Sequence, residues 1–233
     1  MGTEGFGPRV VFNLPGGIPV SETVTVTWFI MAVLIIFAYI ATRKSSKIPK
    51  GLQNFTEILV DGINGLTKST MGEHNKNFAP YIGTLLLFIG IGNIIGLFGM
   101  RPPTADVNTT MGLSIMTFCM IQGFGVRSKG VGGHLKGFLD PMPLLLPINI
   151  LGELATPISL GFRLFGNVVG GLIIMSLLYS ALGGLSAKLG IMIPVLQMGV
   201  PAALHIYFDL FAGLLQSFIF AMLTMVNVSM AMD

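Results

Sequence analysis

Six stretches of this sequence run for 20 residues or more without Lys, Arg, Asp or Glu: 23–42, 77–100, 107–126, 164–187, 189–208 and 210–232. An α-helix needs about 20 apolar residues to cross the roughly 30 Å hydrocarbon layer of a bilayer. Inside that layer every backbone N–H and C=O must be satisfied within its own element, which leaves helices and closed barrels. Barrel strands would be about 10 residues of alternating polarity, and these stretches do not alternate. Charged residues make up 10 % of the chain and hydrophobic residues 52 %. Soluble domains carry about 25 % charge, so a soluble globule lacks the charge to cover its surface, and the apolar content excludes disorder. The expectation is an all-α membrane protein.

The last two stretches meet at Asp209 with no polar loop between them. One long, tilted helix fits them better than two short spans. The reading is therefore five spans, at about 24–42, 78–100, 107–126, 143–185 and 189–231, in a single membrane domain of residues 23–233. Residues 50–68 set Leu52, Phe55, Ile58, Leu59 and Ile63 against Gln53, Asn54, Glu57 and Asp61 at helical spacing. That pattern predicts an amphipathic helix lying at the membrane surface. Arg43, Lys44, Lys47, Lys50, Lys68, Lys76, Arg127, Lys129 and Lys136 fall on one side, and Arg9, Arg101 and Lys188 on the other. Nine against three places the first set in the cytoplasm. The N-terminal segment 1–22 is then outside and the C-terminus inside, and that segment shows no pattern of a cleaved leader.

Other chemistries are not signalled. The single Cys119 cannot form an internal disulfide, and no Cys/His cluster has metal-ligand spacing. No Gly-rich loop ends in Lys-Ser/Thr, so the chain has no phosphate-binding loop of its own. No cofactor is expected. The net charge of +3 resides mostly in short inter-helix segments and does not indicate nucleic acid.

Between residues 141 and 232 there are four charges: Glu153, Arg163, Lys188 and Asp209. Lys188 sits at an outer turn and can snorkel. Arg163 and Asp209 lie inside apolar helices, where a charge costs about 2.5–3.5 kcal/mol on insertion scales. An arginine cannot escape by losing its proton. Two readings follow: a structural Arg163–Asp209 pair tying two helices, or an ion path. At about 100° per residue, Ser159, Arg163, Asn167 and Gly170 share one stripe, and His205, Asp209, Gln216 and Asn227 fall within about 40° of each other. Two polar stripes on otherwise oily helices favour the ion path. Gly166 and Gly170 leave little bulk beside Arg163, which suits either that path or helix packing.

The run Pro157-Ile158-Ser159-Leu160-Gly161-Phe162-Arg163-Leu164-Phe165-Gly166-Asn167 resembles the signature of subunit a of the rotary F-type ATP synthase. Further stretches agree in order: Leu52-Gln53-Asn54, Asn93, Pro103-Thr104-Ala105-Asp106-Val107-Asn108-Thr109-Thr110, Leu145-Leu146-Pro147-Ile148-Asn149 and Gln216-Ser217-Phe218-Ile219-Phe220. The similarity covers about residues 50–233, and segment 1–22 matches nothing in detail.

The resemblance implies a non-catalytic stator subunit whose last two helices are tilted against a rotating ring of c subunits. Two aqueous half-channels would load and unload ring carboxylates, with Arg163 as the essential cation between them. It also implies contact with the b-subunit peripheral stalk and the remaining ATP synthase subunits, and residence in a bacterial plasma membrane. Asn167 would hydrogen-bond to the guanidinium or to the ring, Gln216 would orient the guanidinium without neutralising it, and Glu153 matches an acid near the cytoplasmic mouth. Many relatives carry Glu or His nine residues after the arginine, where this chain has Leu172. The outer half-channel would then rest on Asp209, assisted by His205 and Asn93. Asn227, near the cytoplasmic end, is expected to be dispensable, and His74 and His134 to be solvated. Two other classes compete. A self-contained transporter predicts an internal repeat with paired broken helices, and none is found. A purely structural assembly subunit would not require Arg163 and Asp209 in the membrane.

Overall fold

A computed structural model describes residues 9–14, 17–43, 51–139, 142–188 and 195–232. Lys44, Lys47 and Lys50, the expected starts of the surface helix at 50 and of the last span at 189, and all of residues 1–8 lie outside them.

Among the described residues, five helices are long and apolar enough to cross a membrane. Helix α1 is Glu22–Thr42, and α2 is Leu52–Met71. Helix α3, Ala79–Ile94, has 3-10 turns at both ends, Glu73–Phe78 and Ile95–Phe98. Helix α4 is Val107–Gly137, and α5 is Leu146–Lys188, 43 residues long. The last span is helical throughout residues 195–232, as α6 (Val195–His205), a π-helical segment (Ile206–Ala212) and α7 (Gly213–Met232). The reading of one uninterrupted chain of helix across Asp209 therefore holds, but its winding is not uniform.

The expectation of an all-helical chain misses one element. Strand β1, Val10–Leu14, pairs antiparallel with β2, Ile18–Ser21, matching Phe12 with Val20 and Leu14 with Ile18. Gly17 takes φ +77° in the turn, a conformation open to glycine at no steric cost. The hairpin runs straight into α1, where Glu22 N–H bonds to the Arg9 carbonyl at 2.8 Å.

Lipid is as apolar as leucine, so burial alone does not drive these helices together; close packing and interhelical polar contacts do. The core gathers Ile82, Leu85 and Ile89 of α3 with Leu160 and Leu164 of α5 and Phe220, Ala221, Met225 and Val228 of α7. Small residues set the close approaches. A Cβ on Gly83 would stand 3.1 Å from Ile63 of α2, and one on Gly171 3.4 Å from Phe208 of the π segment. Asp106 caps α4 by accepting from Asn108 N–H, and its other oxygen accepts from the buried Thr23 hydroxyl of α1 at 2.9 Å. The C-terminal half of α2 docks through buried Thr67 and Met71, while Leu52, Phe55 and Ile58 stay exposed. Helix α5 is the least covered of the five spans.

Candidate functional site

Helices α5 and α6–α7 run antiparallel, and the residues that link them fix their levels. Asn167 of α5 donates its amide to the Ala212 carbonyl at 3.2 Å. Phe208 packs on Gly171, toward the Lys188 end. Arg163 and Leu223 border the same cavity, toward the other end. At 1.5 Å per residue, Arg163 and Asp209 are therefore separated by roughly 10 Å along the helix axis, on opposite sides of the Asn167–Ala212 link.

The structural Arg163–Asp209 pair is not formed. Asp209 Oδ2 instead lies 2.7 Å from Nδ1 of His205, one turn earlier. The His205 ring is 6.0 Å from that of Tyr179 on α5. On its other flank Asp209 meets the end of α3: a Cβ on Gly96 would stand 3.4 Å from Asp209 Cγ. The carboxylate is about one-sixth exposed, at 17 %, so it is neither sealed in the core nor free in solvent. Leu172 is adjacent to the Gly171–Phe208 contact. Asp209 thus stands at the level that Leu172 leaves without a titratable group.

Arg163 is exposed on the surface of this chain and makes no hydrogen bond or ion pair among the described residues. Ser159 and Gly166 are exposed beside it and Gly170 is half-buried; Cβ atoms on Gly166 and Gly170 would meet nothing within 4 Å. The opposite face of α5, with Leu160 and Leu164, is the one buried against the bundle.

Two adjoining cavities lead to Arg163. One, of about 640 Å³, is lined by Lys129, His134, Asn149, Glu153, Thr156 and Asn227 among others. The second, of about 260 Å³, is lined by Thr156, Ser159, Arg163, Leu223 and Asn227. Gly152, Thr156 and Asn227 border both of them. His134 departs from the expected solvated role. Past Gly130, at φ +73°, α4 turns back, and the imidazole packs into the space left by Gly125. Its Nε2 lies 2.7 Å from Gln122 Oε1, and Gln122 Nε2 donates to Glu153 Oε2 at 2.9 Å. An ionised Glu153 only accepts, so the amide must present its NH₂ there and its carbonyl to His134, whose Nε2 then carries the hydrogen. Neither Gln122 nor His134 was legible as a site residue, because their meeting depends on the turn at Gly130.

Asn93 and Gln216 also differ from the sequence reading. Asn93 is 2 % exposed, and both ends of its amide are used: Thr104 Oγ1 donates to its Oδ1 at 2.5 Å, and its Nδ2 donates to the Gly213 carbonyl at 2.9 Å. Gln216 is buried, and its Nε2 has no hydrogen-bond partner among the described residues. The single polar stripe from His205 to Asn227 is broken. A π turn holds one residue more than an α turn, which slips the phase of later residues by about 100°.

The Asn93–Gly213 contact yields a stability prediction. A Cβ on Gly213 would lie 2.8 Å from Asn93 Cβ, an atom fixed to the backbone that cannot swing aside. Gly213→Ala is expected to cost about 1–3 kcal/mol by overpacking, seen as a lower melting temperature of the detergent-solubilised protein.

Residues 24–229 match a protein family described as ATP synthase A chain. The chain is similar to the sodium-ion-specific ATP synthase subunit a of Propionigenium modestum, with 36 % identity over 98 % of this chain and 88 % of that one. It is 34 % identical to the ATP synthase subunit a of Moorella thermoacetica over 95 % of each chain. It is also 36 % identical to the ATP synthase subunit a 2 of Syntrophotalea carbinolica, over 91 % of this chain and 86 % of that one.

Proposed function

This chain belongs to the ATP synthase A chain family, and from that premise we propose that it is the ion-translocating stator subunit of a rotary F-type ATP synthase. In this reading the exposed face of α5 around Arg163 packs against a ring of c subunits. The cavities running from Glu153 to Arg163 form the cytoplasmic half-channel, and the surroundings of Asp209 and His205 form the outer one. The helix pair is tilted against the ring, α2 lies at the cytoplasmic interface, and the N-terminal hairpin is outside. The b-subunit stalk and the other subunits hold the chain still while the ring turns, in a bacterial plasma membrane.

One observation carries the reading. Arg163 is a permanent cation within an apolar helix, yet every acid near it is engaged elsewhere: Asp209 by His205 and Glu153 by Gln122. A cation that cannot be neutralised by proton loss and has no partner among the described residues is suited to a carboxylate on another subunit. A ring carboxylate passing Arg163 is held ionised there. It must be protonated, or take up a cation, before it moves into lipid. Access at two levels, outer by Asp209 and inner by the cavity at Arg163, forces the ion to ride the ring between them.

The membrane sector, reconstituted in liposomes without its catalytic head, tests this. A potassium diffusion potential should drive uptake of protons, followed with a pH dye, or of radioactive sodium. The sodium arm is motivated by the Propionigenium modestum relative. Uptake of one ion that requires this chain is expected; an assembled sector that conducts neither would overturn the proposal.

A further prediction arises at the inner mouth. Asn227 makes no hydrogen bond among the described residues and borders both cavities. Asn227→Leu should therefore leave assembly intact and lower passive conductance severalfold, by putting an apolar plug where the two cavities join. Unchanged conductance would move the inner path away from α7.

A further inference from the structure

We propose that Thr104 and Asn93 are positioning residues for Asp209: together they hold segment 206–212 in its π register and so fix the side on which Asp209 stands. The role in transport rests on the reading of Asp209 as part of the outer half-channel; the geometry of the clamp does not.

Thr104 lies in the buried 3-10 turn Pro103–Ala105 and is 1 % exposed. Its hydroxyl bonds to Asn93 Oδ1, which leaves the Asn93 NH₂ one orientation, toward the Gly213 carbonyl. Gly213 has no Cβ, and only that permits the approach. From the other side of the last helix, Asn167 donates to the Ala212 carbonyl. Two neighbouring carbonyls at the junction of the π segment and α7 are thus each held by a different helix.

A side chain that takes a backbone carbonyl competes with the helical ladder, a recognised source of local irregularity. Here the two anchored carbonyls fix the start of α7 against α3 and α5, and the π segment just before it takes up the extra residue that this placement requires; π turns are a frequent feature of functional sites. Its consequence is rotational. In the observed register Asp209 lies against Gly96, in the 3-10 turn that ends α3, and its carboxylate meets His205. Reversion to α winding would turn Asp209 by about 100° relative to α7, off the Gly96 notch. The amide of Asn93 does not itself move ions in this scheme, since both of its ends are committed.

The test reads register and transport separately, in the assembled complex. Gly96→Cys and Asp209→Cys, in a Cys119→Ser background, should cross-link on mild oxidation. Adding Asn93→Leu or Thr104→Val should reduce the cross-link yield severalfold, while Thr104→Ser, which keeps the hydroxyl, should restore it. If Asn93→Leu does not assemble, Thr104→Val carries the test, because it removes a single hydroxyl at nearly constant volume. Passive conductance is measured in parallel with Gly96 and Asp209 intact. Loss of both cross-link and conductance supports the proposal. An unchanged cross-link yield overturns it whatever the conductance does; conductance lost with the cross-link retained would place Asn93 in the ion path instead. A lost cross-link with undiminished conductance would leave the clamp standing and refute the role of Asp209 in transport.

Discussion

Arg163→Ala is expected to leave the chain folded and the complex assembled while gradient-driven ATP synthesis falls to background. Arg163 is exposed and makes no hydrogen bond or ion pair among the described residues, so its removal opens no cavity and orphans no buried partner there. Deleting a charge from the middle of an apolar helix relieves an insertion cost of about 2.5–3.5 kcal/mol, which favours the fold if anything. What is lost is the fixed cation between the two levels of access. Without it a ring carboxylate passes from the inner cavity to the outer site without being forced to ionise, and ions leak along the same route. Arg163→Gln should behave alike. Arg163→Lys should fail nearly as fully, since a compact ammonium lacks the planar fork and can lose its proton when desolvated. Inverted membrane vesicles assayed for ATP-driven pumping, with subunit stoichiometry measured alongside, decide the matter. Normal coupled pumping by the Ala variant would refute the assignment.

The membrane helices are legible because charge-free length is a one-dimensional property: five spans are expected, and five helices among the described residues are long and apolar enough to cross. The same pattern marked Arg163 and Asp209 as anomalies before any fold was known. The π segment was not legible. Residues 206–212 are apolar on most sides, and nothing local signals one residue more per turn. The donors that hold it, Asn93 and Asn167, come from 120 and 45 residues away in sequence. A stripe drawn at a constant 100° per residue therefore grouped His205, Asp209 and Gln216 on one face, whereas the structure buries Gln216 and leaves Asp209 partly exposed.

The inner mouth failed to be read for a related reason. His134 follows a basic, Gly-rich stretch that looks solvated, but the positive φ of Gly130 folds it back onto Gly125. A histidine's surroundings are tertiary information unless the turn that places it is recognised. The hairpin is a different case. Pro15-Gly16-Gly17 between two short apolar runs is a turn signal of the ordinary kind; the weight given to helices obscured it.

Asp209→Asn is expected to preserve fold and assembly and to cut ion flux about a hundredfold, the lower range for a positioned proton-transfer group. The substitution keeps the volume, and the amide oxygen still accepts from His205 Nδ1–H, so the contact at 2.7 Å is retained in the neutral state of the imidazole. The ability to take and give a proton, or to carry a negative charge toward a cation, is what disappears. Asp209→Glu should retain part of the flux, since it keeps the charge but displaces it by one methylene. Had Asp209 existed to neutralise Arg163, Asn would strand a buried guanidinium and misassemble the complex. In the structure Arg163 is exposed and Asp209 is bonded to His205, so misassembly is not expected. On the proposed reading the position gives the carboxylate its consequence: it stands one turn outward of the Asn167–Ala212 link, at about the level of Leu172, which carries no titratable group. An ion arriving from outside therefore has Asp209 and His205 as its titratable contacts at that level. Passive conductance of the head-free membrane sector reads the effect directly. Undiminished flux in an assembled Asp209→Asn complex would take Asp209 out of the path and leave His205 as the group to test next.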